Sequence, residues 1–233
     1  MTWTRFSHGH RLDPVGKRSP EALVILLHDL GASSLALTPI AARWATTVPT
    51  TMFIALDAVE PLDPPSSGLL PHPVLGPDGS AEPTMLNRAT RLLEPLIEQQ
   101  LRSCRFDASR LVLVGFGYGG TLALHMVLRR GRNCAGVLAF AANPTRPLPQ
   151  VPRVARKVRL IESVKNGHSG QTSLRDLVAL LAARGIDARG VLLTGSVLSD
   201  ESIRHGGAYL VELVATAQRG DPFNVNRERS HAR

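Results

Sequence analysis

Chemistry concentrates in FDASRLVLVGFGYGGTLALHMVL, residues 106–128, where a short apolar run, a cluster of glycines and a helical pattern follow one another directly. Two chemistries use glycines in such a place. Gly115, Gly117 and Gly120 fit the spacing G-x-G-x-x-G, in which glycines let a pyrophosphate approach the backbone at the start of a helix. That use puts the turn after the first strand and needs an acidic residue about twenty positions on for the ribose. Here the turn follows the third predicted strand, and no Asp or Glu lies between Asp107 and Glu162, so dinucleotide binding is the weaker reading. The other chemistry reads Gly115-Phe116-Gly117-Tyr118-Gly119 as a G-x-S-x-G elbow, a strained turn that lifts a central nucleophile above a sheet. The central residue is Gly117, which has no side chain to attack with.

The elements that would hold this turn alternate between short apolar runs and longer segments of helical period, which predicts a parallel sheet wrapped by helices. Strands are predicted at Leu23 to His28, Thr51 to Asp57, Leu111 to Val114, Gly136 to Phe140, Val158 to Ile161 and Val191 to Thr194. Helices are predicted at Leu37 to Thr46, Thr84 to Cys104, Leu122 to Leu128, Ser173 to Arg184 and Ala208 to Ala217, the second kinked by Pro95. Residues 57–83 are rich in Pro and Gly and form a candidate lid or pocket loop. A second Pro-rich loop runs up to Pro152.

The elbow segment resembles that of the phospholipase/carboxylesterase group of α/β-hydrolases, close to the acyl-protein thioesterases, which ends in GFSxGG and continues into an Ala- and Leu-rich helix. LVILLHDLGAS, residues 23–33, is similar to the LLHGLG loop of the same family. The resemblance runs in order over residues 20–217. It implies an α/β-hydrolase fold, a mostly parallel central sheet with helices on both faces, and hydrolysis of carboxylic esters or thioesters by a Ser-Asp-His triad. It also implies that the triad is degenerate. Gly117 stands at the nucleophile position, Asn166 in IESVKNGHS at the acid, and Leu198 in TGSVL at the histidine. An amide cannot stabilise an imidazolium, and leucine takes no proton.

Backbone donors survive such losses. By the same resemblance the oxyanion site would be the N–H groups of Leu30 and Tyr118, at the start of a helix that favours anions. Asp29 replaces the glycine of LLHGLG, and its carboxylate either repels an anion there or points away. Tyr118 is expected to pack across the space that Gly117 leaves open. The other pocket candidates are His28, Gly119 and His168; Ser33, Ser34, Ser196, Ser199 and Asp200 are the raw material for a relocated triad. For His28 the plain alternative is a buried strand-end residue bonded to backbone, and for His168 an exposed loop residue. His8 and His10 lack the carboxylates of a metal site, so neither metal nor cofactor is expected.

With 233 residues, 43% of them hydrophobic and 20% charged, the chain is expected to form one domain over 1–218 and a flexible basic tail over 219–233. No apolar run reaches membrane-spanning length, and MTWTRFSHGHRLDP carries no secretory signal, so a cytoplasmic protein without a membrane span is expected. Cys104 and Cys134 are expected to stay free. The net charge of +8 comes largely from arginine, but the best basic group, Arg153, Arg156, Lys157 and Arg159, lacks interleaved aromatics, which disfavours nucleic acid. The leading expectation is a pseudoenzyme that binds a small acyl or anionic ligand, or a protein partner such as a second copy. The alternative is an esterase or thioesterase with a relocated nucleophile.

Overall fold

A computed structural model describes residues 2–57, 83–130, 134–143, 157–164 and 174–219. The expected lid, save its end residues Asp57 and Pro83, lies outside them, as do residues 144–152 of the second Pro-rich loop, Arg153, Arg156, Asn166, His168 and the tail beyond Arg219. Among the described residues eight strands form one sheet: β1 (Trp3–Phe6), β2 (Gly9–Leu12), β3 (Ala22–Leu27), β4 (Thr51–Leu56), β5 (Leu111–Phe116), β6 (Gly136–Phe140), β7 (Lys157–Val164) and β8 (Asp187–Thr194). Their spatial order is β1-β2-β4-β3-β5-β6-β7-β8. The pairs β1/β2 and β2/β4 are antiparallel and all others parallel. Every residue of β3, β4, β5 and β6 is buried, as strands covered on both faces must be.

Among the described residues five helices cover the sheet: α1 (Ser34–Ala45), α2 (Pro83–Cys104), α3 (Tyr118–Arg130), α4 (Leu174–Ala182) and α5 (Asp200–Arg219). Leu23, Ile25 and Leu27 of β3 face one apolar cluster with α2, α3 and α4, while Val24 and Leu26 face a second with α1 and α5. Among the described residues no helix is long and apolar enough to cross a membrane. Pro95 does not interrupt α2. It sits on the exposed side, where the carbonyl that loses its partner can meet water. α5 starts eight residues before the predicted Ala208, because Ser199 Oγ caps it by accepting from Ser202 N–H at 3.2 Å.

The far end of the sheet is fastened by a buried cation. Arg159 on β7 is fully buried; its guanidinium donates to Glu212 of α5 at 2.9 and 2.6 Å and to Asp187 of β8 at 3.0 Å, and to the Asp187 carbonyl at 2.7 Å. The hydrogen bonds from Arg159 outweigh burial and hold the Glu212 carboxyl down at about 2. A carboxyl so lowered stabilises the fold above its ordinary range near 4.5 and loses that contribution as pH falls toward 2. Glu212→Gln is therefore expected to cost about 2–3 kcal/mol at neutral pH, with Asp187 still holding the guanidinium. Urea melts of both proteins should converge as the pH is lowered to about 2; a constant gap would place the loss elsewhere.

Candidate functional site

Leu27 at the end of β3 lies beside Gly115 of β5, yet the chain leaves the two strands toward opposite faces, to α1 and to α3. Such a divergence opens a crevice at the carboxyl ends of a parallel sheet, where ligands of this architecture bind. β5 ends at Phe116 and α3 begins at Tyr118, so Gly117 alone makes the turn, at φ +53°. Its N–H donates to the Phe140 carbonyl at 2.8 Å, and its carbonyl accepts from Thr121 N–H at 3.0 Å. The Thr121 hydroxyl in turn accepts from Asn143 N–H at 2.9 Å.

The glycines beside the turn are there for close approach. A Cβ on Gly115 would stand 2.2 Å from the Gly119 carbonyl oxygen, and one on Gly119 would stand 2.3 Å from the Leu27 carbonyl oxygen. The first turn of α3 thus rests directly on the backbone of β3 and β5. On the opposite face Phe116 and Phe140 stack at 4.5 Å between centroids, with Trp44 of α1 beside both.

The loop after β3 runs His28-Asp29-Leu30 across this turn. Asp29 Oδ1 accepts from Leu30 N–H and from Tyr118 N–H, each at 2.8 Å. Two amides from different elements therefore converge on one oxygen, an arrangement that can hold an anion or an oxygen gaining negative charge. The carboxylate also covers the turn: a Cβ on Gly117 would lie 2.2 Å from Asp29 Cγ and Oδ1 and 2.3 Å from Oδ2. Of the two placements expected for Asp29, the carboxylate lies beside the first-loop donor and does not point away, and it is bound by both amides. The expectation for Tyr118 is revised. Tyr118 is buried in the cluster with α2 and α3, and the space above Gly117 belongs to Asp29.

His28 is buried and its Nδ1–H donates to the Asp29 carbonyl at 2.7 Å, which pins the loop. Leu198 is 55% exposed in the turn after β8. Ser199 caps α5, Ser202 donates to the Ser196 carbonyl, and Asp200 pairs with Arg43 at 2.5 Å. Sequence reasoning missed a Ser/His/Asp cluster. Ser34 Oγ donates to Asp57 and meets His10 Nδ1 at 2.9 Å, and Asp57 pairs with Arg5 at 2.6 Å. Burial pushes the Asp57 carboxyl up, but the Ser34 hydrogen bond and Arg5 outweigh it and hold it below its ordinary range. The serine sits between base and acid, fully buried, with its proton committed to the carboxylate. A triad needs the imidazole in the middle. This set ties the β1–β2 hairpin to α1 and β4.

One more carboxyl lies near the elbow. Glu162 at the end of β7 is pushed up to about 7 by burial, only partly offset by a hydrogen bond from Ala142 N–H. Ala142 follows β6 and would touch a Cβ on Gly120 at 3.3 Å, so this acid sits behind the elbow's support. The sequence signal for it was a lone acid closing the apolar run of a strand.

Residues 15–178 match the sequence profile described as phospholipase/carboxylesterase. No curated protein matches the chain in sequence. Among solved structures it is similar to esterase PE8, with TM-score 0.77 and 22% identity over 88% of this chain and 98% of that one. The carboxylesterase from Mesorhizobium loti gives 0.69 and 17%, and that from Bacillus cereus 0.71 and 15%, each over 87% of this chain and 93% of the other. At these identities the likeness establishes the fold, an α/β-hydrolase.

Gly117→Ala is expected to destabilise the protein by about 2–3 kcal/mol, since a left-handed backbone and a displaced carboxylate add. In an Asp29→Ala background the same change should cost only about 1 kcal/mol; equal costs in both would show that the carboxylate does not cover the turn. For Glu162, a carboxyl raised in the fold makes the protein less stable as pH climbs from about 4.5 to about 7. Glu162→Gln should therefore gain up to about 3 kcal/mol over the parent at pH 8 and nothing at pH 4, read from melts at the two values.

Proposed function

The chain belongs to the phospholipase/carboxylesterase family of α/β-hydrolases, and from that premise we propose that it is a non-catalytic member, a pseudoenzyme that keeps the hydrolase scaffold to bind a small acyl or anionic ligand or a protein partner. Acyl transfer requires an oxygen nucleophile, an imidazole to take its proton and a carboxylate to orient the imidazole. The observation that carries the reading is the seat of Asp29. Its carboxylate takes both amides that would stabilise a tetrahedral oxyanion and fills the space that a nucleophile at residue 117 would need. Gly117, Asn166 and Leu198 at the triad positions of the family pattern point the same way.

On this reading the protein works in the cytoplasm, where Cys104 and Cys134 remain free. An ester hydrolase with a displaced nucleophile would draw on Ser34, whose hydroxyl is buried and already given to Asp57.

Short-chain p-nitrophenyl esters and acyl thioesters should not be turned over, and a fluorophosphonate probe should leave the protein unlabelled in intact-mass spectra. Stoichiometric labelling of any serine overturns the proposal. Gly117→Ser should stay at background, because the new hydroxyl would meet the Asp29 carboxylate and lack a base; rates typical of esterases from that variant would mean that an acid and a histidine are supplied after all.

A further inference from the structure

We infer that Asp29 is a removable occupant, an internal carboxylate that closes the two-amide pocket and that the carboxylate of another molecule can replace. This rests on the reading of the pocket as one that binds without turning over. The pocket stands without the Asp29 side chain. Tyr118 N–H is fixed by the start of α3, which Gly117 holds through Phe140 and Thr121 and which Gly115 and Gly119 seat on the strands. Leu30 N–H is fixed by a loop whose Asp29 carbonyl accepts from His28 Nδ1 and from Ala32 N–H at 3.1 Å. These contacts use the Asp29 backbone, so truncating its side chain leaves both donors aimed at the same point.

The occupant defines the class of ligand. Both amides bind one oxygen of a planar carboxylate, and the space above Gly117 is filled by its three carboxyl atoms. The side chain can also leave. Asp29 is exposed, and among the described residues Oδ2 has no hydrogen-bonding partner, so an outward rotation breaks only the two bonds to Oδ1. The amides would then be open to the carboxylate or carbonyl oxygen of an acyl compound.

The side chain of aspartate is an acetate group, which sets the test. Asp29→Gly removes one acetate equivalent and Asp29→Ala removes one formate equivalent. Melting temperatures are measured while sodium acetate or formate replaces sodium chloride at constant ionic strength. The glycine variant should respond to acetate and the alanine variant more to formate, each saturably, with a rise of about 3 °C at ten times the dissociation constant. The parent, whose tethered carboxylate competes for the same amides, and Asp29→Asn, whose amide oxygen can still accept from both N–H groups, should respond only at concentrations about tenfold higher or more. Variants that respond no more than the parent, or a parent that binds acetate equally well, overturn the inference. Failure of both truncated variants to fold would do the same, since the carboxylate would then be a structural necessity. Ester turnover by the parent would defeat only the non-catalytic reading, because the titration measures occupancy and no chemistry.

Discussion

One carboxylate oxygen joins the loop after β3 to the first turn of α3, and the character of the crevice follows from that bond pair. The start of a thirteen-residue helix carries partial positive charge and N–H groups without intrahelical partners. An adjacent loop amide aimed at the same point strengthens the demand for a negative oxygen. A hydrolase meets that demand only when a substrate carbonyl becomes tetrahedral. Here an aspartate meets it at rest, and the same side chain takes the volume over Gly117. Asp29 and Gly117 are therefore one feature: the carboxylate fits because the apex has no Cβ.

The elbow is a costly piece of backbone. A left-handed residue between strand and helix, glycines pressed against Leu27 and Gly119 carbonyls, and the Phe116–Phe140 stack behind them are what positions a group above a sheet. None depends on a side chain at residue 117. Glu162 behind this frame extends the pattern, since a carboxyl kept neutral in the fold until about pH 7 costs the native state stability as the unfolded chain ionises from about pH 4.5 upward.

Much of this was legible in the sequence where burial is two-sided. β3 to β6 read as unbroken apolar runs because helices cover both faces, and the prediction for β6 matches its observed bounds. β1, β2 and the first half of β8 escaped because they lie toward the edges of the sheet, where WTRF, GHRL and DARG carry no alternation. The first two turns of α5 were polar and readable only from the Ser199 cap. Asp29 stood out as a departure, but its destination did not: Tyr118 is 89 residues away, and nothing local says that a carboxylate on one loop reaches the amide of another. Ser34, His10 and Asp57 were hidden for the same reason.

At the opposite margin of the sheet, Arg159 settles a question of alignment. β8 is an outer strand with Gly190 at its middle and mostly exposed residues, so hydrophobic patterning hardly distinguishes one pairing with β7 from a neighbouring one. The guanidinium does distinguish them. Sliding β8 by a single position would carry Asp187 out of reach and leave a fully buried cation leaning on Glu212 alone, a penalty of several kcal/mol. Slippage of this margin, the ordinary beginning of strand exchange between copies, is thus opposed by charge where apolar contacts are too few to oppose it.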